Sequence, residues 1–381
     1  MIEGPRPVRR EELRSLVQLL NKIFRPKTWD IQDEYPHLFN EDNIENLLVV
    51  VDNGHVVAHL GIFFHDVAIY GCRFTVGCIG AVATAEEYRG QGLASKLLFD
   101  AFDRFDKADG SLILISGDRG LYLRNGCVPV SRATRFDISR SFADEHANQE
   151  LSLRGFSTKE ILTVSALYCQ EPVRFLRPVE DYHYFLHSGM AMDHPSDLWL
   201  LQRKDQTVAY TIVQRARDSI APGIVEYAGD RRAIIGSLSK LIDSSGSTDS
   251  LSLYVPVADK LSRWQLQDLG LTPVGKEMDA CGSTVRIQNF PRFFQCMRPY
   301  LAEILGSSIV DSVRVEDSGS DITFYFGKEK LTLSRDDATA LVFGTSEGKE
   351  CQVLEEHKGP VAEALHELFP IPAPWYGLNF V

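Results

Sequence analysis

The chain has 381 residues, is 44% hydrophobic and 24% charged, and carries a formal net charge of −12. That length suggests two or three domains with ordinary cores, and the composition excludes disorder. The acidic balance argues against a nucleic-acid partner, which calls for a basic face, and is compatible with a cationic substrate drawn to a negative cleft. The seven cysteines stand singly, with no CxxC or Cys/His cluster, so no metal site and no disulfide framework are expected. Free thiols, a charged N-terminus without an apolar core segment, and apolar runs no longer than residues 112–115 together predict a cytoplasmic protein with no membrane span.

In chain order, apolar residues at helical spacing (Leu13, Leu16, Val17, Leu19, Leu20, Ile23) predict an amphipathic helix over residues 10–24. Residues 46–84 read as three strands, with turns at Asn53-Gly54 and Gly71. A helix opens within residues 88–98 and runs to about 107. Residues 111–117 predict an apolar strand, 121–127 a short helix stopped at Gly126, and 128–139 a further strand.

From about residue 157 the pattern partly recurs: helix 180–190, a hairpin turned at 204–207, strand 223–230, helix 231–245, strand 250–259 and helix 259–271. The order predicts a second copy of the first fold that lacks any counterpart of residues 88–92. The last part opens with helix 290–305, continues with three short strands and a helix from 334, and ends in a tail over 366–381. Pro370, Pro372 and Pro374 favour an extended path there, and the tail's Leu, Phe, Trp and Tyr side chains call for packing rather than exposure. The expected domains are 1–145, 146–284 and 285–381.

The chemistry begins at residues 88–98, YRGQGLASKLL. A helix N-terminus offers unpaired N–H groups and the positive end of a dipole. Gly90 and Gly92 leave bare backbone there, and Arg89 adds a charge. The preceding strand carries Gly80, Ala81 and Ala83, small enough to leave room for a slender ligand arm. Alone, this pattern serves an ordinary strand-to-helix turn as well as a phosphate cradle.

Its context resembles the GCN5-related N-acetyltransferases (GNAT). Arg89, Gly92 and Ala94 stand as in that family's Arg-x-x-Gly-x-Ala loop, and Leu121 to Cys127 resembles its YxxxGF segment, with Tyr122 and Gly126 in place and Cys127 where Phe is usual. The resemblance implies acetyl-CoA as co-substrate. It implies that backbone amides of Val82, Ala83 and Thr84 hold the pantetheine arm and that those of Arg89, Gly90, Gln91, Gly92, Leu93 and Ala94 hold the pyrophosphate. Tyr122 would protonate the leaving thiolate, a task a phenol suits because it is a donor at neutral pH.

A primary amine is mostly protonated at pH 7, with a pKa of roughly 10, so a base is needed. The strand before the loop has no Glu, Asp or His; its Cys78 would be inert in apolar surroundings. Glu34, His65, Asp66 and Asp118 are candidates elsewhere. The whole chain, read as an α/β (α+β) protein with two GNAT-like mixed-sheet domains, the second degenerate, and a small C-terminal α/β domain, resembles the enhanced intracellular survival (Eis) family. That resemblance implies a sterol-carrier-like third domain, a homo-oligomer with a hexamer among the options, and the terminal carboxylate of Val381 as the base. Trp29, Glu34 and Phe64 are the expected lining of the acceptor pocket. The acceptor is expected to be a small-molecule amine or a lysine, attacked directly; longer acyl groups are a further option. The reading from a different class is an acyl-CoA or lipid carrier with an inert transferase site.

Overall fold

The computed structural model describes residues 2–25, 30–216, 221–247, 249–274, 284–345, 352–353 and 355–381; Trp29 lies outside them. The chain divides into two compact units, Met1–Val130 with Cys281–Ile371 and Val381, and Ser131–Ala280 with Pro372–Phe380.

The first unit begins β1 (Ile2–Pro7), α1 (Leu13–Phe24), β2 (Leu47–Asp52), β3 (His55–Ile69), β4 (Cys72–Thr84), α2 (Leu93–Lys107), β5 (Leu112–Ile115), α3 (Gly120–Leu123) and β6 (Val128–Pro129). Helix α1 buries Leu16, Leu19 and Leu20, the stripe its spacing predicts. Asn53 and Gly54, both at positive φ, make the tight turn between β2 and β3. Strands β2, β3 and β4 form an antiparallel meander, and β5 lies parallel to β4 with α2 as the crossover.

The second unit contains β7 (Ala133–Ser139), β8 (Leu151–Gly155), α4 (Ile161–Tyr168), α5 (Val179–Ser188), β9 (His194–Arg203), β10 (Gln206–Gln214), β11 (Gly223–Gly229), α6 (Arg231–Gly236), α7 (Leu238–Ser244), β12 (Ser250–Pro256) and α8 (Lys260–Asp268). Its sheet runs β9-β10-β11-β12-β7, with β8 on β9. Here too three antiparallel strands lead through helix into a parallel neighbour, β11 to β12. The repeat is thus present in topology. Two expected elements are divided: the strand over 128–139 is β6 in one sheet and β7 in the other, and the helix over 231–245 breaks at buried Ser237.

The tail residues 372–380 pack within this second unit. Trp375 donates from Nε1 to the Val225 carbonyl at 2.6 Å, and the Leu378 amide donates to Glu226 at 3.0 Å. Arg177, whose side chain is 1% exposed, binds Glu226 through two bonds of 2.8 and 3.0 Å and donates to Asn379 Oδ1. Its guanidinium lies 4.0 Å over the Tyr168 ring. Arg177→Met would leave the Glu226 carboxylate buried without its cation. We expect a loss of about 3–5 kcal/mol, read as a lower urea midpoint; an unchanged midpoint would remove the pair from the stability of this unit.

The remainder is β13 (Thr284–Ile287), α9 (Phe290–Leu305), β14 (Val313–Asp317), β15 (Asp321–Phe326), β16 (Glu329–Ser334), α10 (Arg335–Phe343) and α11 (Pro360–Leu368). Strands β14, β15 and β16 form an antiparallel sheet of their own. Strand β13 was not anticipated. It enters the first sheet between β5 and β6, giving the order β1-β2-β3-β4-β5-β13-β6. Its four residues, TVRI, are too few for a periodic signal. Helix α11 was also unanticipated; it occupies ground read partly as tail. No helix of the described residues is long and apolar enough to cross a membrane.

Candidate active site

The parallel ladder between β4 and β5 ends at Ile79 and Ile115. Just beyond, β4 bulges. Gly80 pairs Gly61 and Ala83 pairs His59, so Ala81 and Val82 together oppose one residue of β3. Ala81 adopts φ 52°, a left-handed conformation uncommon for a residue with a Cβ. A bulge bends its strand, and past this one Val82, Ala83 and Thr84 line a cleft of about 710 Å³. Arg89, Gly90, Gly92, Leu93 and Ala94 line the same cleft at the start of α2, and Tyr122 lines it from α3. Gln91 does not; it is exposed and turns its amide toward the Glu87 carbonyl.

The mouth of α2 is bare. Its N-cap is Gly92 at φ 75°, with no side-chain cap, and the first intrahelical bond is Lys96 N–H to Gly92 O. The amides of Leu93, Ala94 and Ser95 therefore have no acceptor within the helix. A Cβ on Gly92 would meet nothing within 4 Å, so the backbone angle rather than crowding calls for glycine here.

The second unit makes the contrast. At α6, Asp230 caps the helix, accepting from the Arg232 and Ala233 amides at 2.9 and 3.1 Å. A carboxylate already holds the donors that an anion would need. Strand β11 also shifts register beside Val225, and there Trp375 of the tail is bonded. In the second unit the helix mouth is thus capped and the strand opening filled. For the first unit, Gly92→Trp places bulk at the open helix mouth on a strained φ. We expect coenzyme A affinity to fall by more than about tenfold in calorimetry; unchanged affinity would mean that this mouth holds no phosphate.

Tyr122 is 5% exposed. Burial pushes its phenol up to about 12, against the lowering pull of Arg119. It is therefore a neutral O–H donor throughout the working range. Gly117 lets its ring lie close, since a Cβ there would touch the ring edge at 3.0 Å. Burial likewise pushes the Cys127 thiol up to about 12, leaving it a poor nucleophile.

The two faces of the sheet sort the remaining candidates. A Cβ on Gly77 would strike the Phe105 ring of α2, and Phe64, which pairs Gly77, packs on Phe105 with centroids 5.0 Å apart. Phe64 thus lies on the α2 face and is absent from the cleft lining. Alternation puts Phe63 on the other face, where its ring meets His65 at 4.4 Å and His37 at 5.4 Å. Gly80 shares that face, three residues on from Gly77. A Cβ on Gly80 would clash with the carboxyl carbon and oxygen of Val381.

The side-chain carboxylates named as bases are engaged or exposed. Glu34, nearly buried, is paired to Arg25 at 2.5 Å. Asp66 binds Arg73 and accepts from Thr75 at 2.9 Å. Asp118 is exposed. Sequence reasoning passed over His59, whose ring lies against the bulge; no local motif marks it.

Residues 5–129 match the model of the acetyltransferase (GNAT) domain family, whose co-substrate is acetyl-CoA. No curated protein matches. Among solved structures, a GCN5-related N-acetyltransferase from Anabaena variabilis is 16% identical, with 100% of both chains covered and a TM-score of 0.68. A probable N-acyltransferase from Enterococcus faecalis is 14% identical, covering 98% of this chain and 97% of its own, with a TM-score of 0.68. Eis1 from Mycobacterium abscessus is 11% identical over 100% of both chains, with a TM-score of 0.62. Residues 5–129 thus match an acetyltransferase (GNAT) domain, and over its whole length the chain is similar in fold to these solved structures, Eis1 among them.

Proposed function

We propose that the chain transfers the acetyl group of acetyl-CoA to a primary amine by direct attack. Amides of Val82, Ala83 and Thr84 hold the pantetheine arm. The mouth of α2, from Arg89 to Ala94, holds the pyrophosphate. The amine nitrogen forms a bond to the thioester carbon, the carbon–sulfur bond breaks, and Tyr122 gives its proton to the departing thiolate. The Val381 carboxylate takes the proton that the amine sheds. Phe63 and His65 share the face on which that carboxylate lies and form one wall for the acceptor, with Trp29 and Glu34 as the further acceptor residues.

The observation that carries this reading is the uncapped mouth of α2, which opens on the same cleft as Val82 to Thr84 and Tyr122. The Val381 carboxylate lies against Gly80, two residues before that strand segment. The acceptor is the amine of a small molecule or of a lysine. The same reading takes residues 1–145, 146–284 and 285–381 as catalytic, degenerate and sterol-carrier-like domains of a cytoplasmic homo-oligomer.

The test is an assay of free thiol from acetyl-CoA over a library of amines. Release that depends on the amine supports the transfer. Binding of acetyl-CoA with no release across the library would favour a carrier role instead.

A further inference from the structure

We propose that His59 is a positioning residue for the coenzyme arm, acting through the bulge of β4. Its ring is wholly buried, and its Nδ1 lies 2.8 Å from the carbonyl oxygen of Ala81. A carbonyl can only accept, so Nδ1 carries the proton and donates. Among the described residues Nε2 has no partner. Burial holds the imidazole at about 4, well below its ordinary value, so the ring is neutral at physiological pH. An imidazole fully enclosed, neutral and bonded through one nitrogen is no proton shuttle, and it does not line the cleft.

Its effect is on the backbone. The bulge sets Ala81 and Val82 against one residue of β3, which takes the Ala81 carbonyl out of the regular ladder. A half-buried carbonyl left without a donor is costly, and Ala81 also bears a left-handed φ of 52°. The Nδ1–H of His59 supplies the missing donor. Packing fixes the ring: Phe39 lies 6.1 Å from it, and a Cβ on Gly61 would approach its Cε1 at 3.2 Å. The next residues, Val82 to Thr84, are those that line the cleft. The histidine thus holds the bend that opens β4 toward the arm.

This inference rests on the coenzyme reading above, and the test separates the two. Leu and Asn have nearly the same shape, but only Asn can donate from the position of Nδ1. His59→Leu is expected to raise the coenzyme A Kd and the acetyl-CoA KM about tenfold, with kcat changed less than twofold. His59→Asn is expected to stay within about twofold of wild type in both. Equal binding by the two variants would overturn the proposal while leaving the coenzyme site in place. Failure of the wild-type protein to bind coenzyme A would overturn the coenzyme reading and this one with it. Should His59→Leu not fold, nitrogen NMR of the histidine-labelled wild-type protein decides: Nδ1 must show as protonated and Nε2 as a bare ring nitrogen, and the reverse tautomer excludes the bond to Ala81.

Discussion

Adding one glycine after Val381 is expected to lower kcat by about 10²–10⁴-fold, with the coenzyme A Kd and the thermal midpoint unchanged. The extra residue carries the carboxylate about 3.3–3.6 Å further along the chain, away from Gly80. A base must lie within hydrogen-bond reach of the proton it takes, directly or through one water, and a shift of that size breaks the relation. Gly80→Ala tests the same contact from the other side, because its methyl group would clash with the Val381 carboxyl carbon. It should lose kcat in the same direction, and the glycine extension should add little on top of it, since both act on one interaction. An extended chain with full turnover would eliminate the terminal carboxylate as the base.

Tyr122→Phe is expected to reduce kcat on the order of 10²-fold, with little change in coenzyme affinity. The substitution keeps the ring beside Gly117 and deletes only the hydroxyl, so packing is preserved. The pH profile gives a second reading. A phenol raised to about 12 by burial is protonated, and so a donor, at every pH below that value. The acceptor amine gains its neutral form as pH rises toward roughly 10. Wild-type kcat/KM should therefore climb with pH and show no alkaline fall below pH 10. A fall near pH 8 would place a different acid at the leaving sulfur, and equal kcat in the variant would exclude Tyr122 altogether.

Much of the site follows from contiguous residues. From Thr84 to Ala94 a strand end, a turn and a helix start fall within a dozen positions. The backbone angles of Gly90 and Gly92 and the bare amides behind them are local properties. Tyr122 sits in a short segment of the same kind. The order of strands and helices also exposed the second copy of the fold, because a meander followed by a helix and a parallel strand leaves the same imprint twice.

What depended on distant partners needed the fold. Glu34 looks like a free acid in the sequence, but in the fold it is paired to Arg25, just beyond the end of α1. Phe63 and Phe64 are equivalent in composition, and only the Phe105 ring of α2 decides which of them faces the helix. The strand Thr284–Ile287 is four unremarkable residues until β5 and β6 offer it an open edge. His59 supports a carbonyl 22 positions away. By itself the sequence determined most of the elements and the glycine-rich turn into α2, because these rest on short-range backbone preference and periodicity. The tertiary structure alone decided which charges are satisfied, which face each aromatic ring takes and where the last carboxylate lies, because those outcomes are set by packing between segments that the chain keeps far apart.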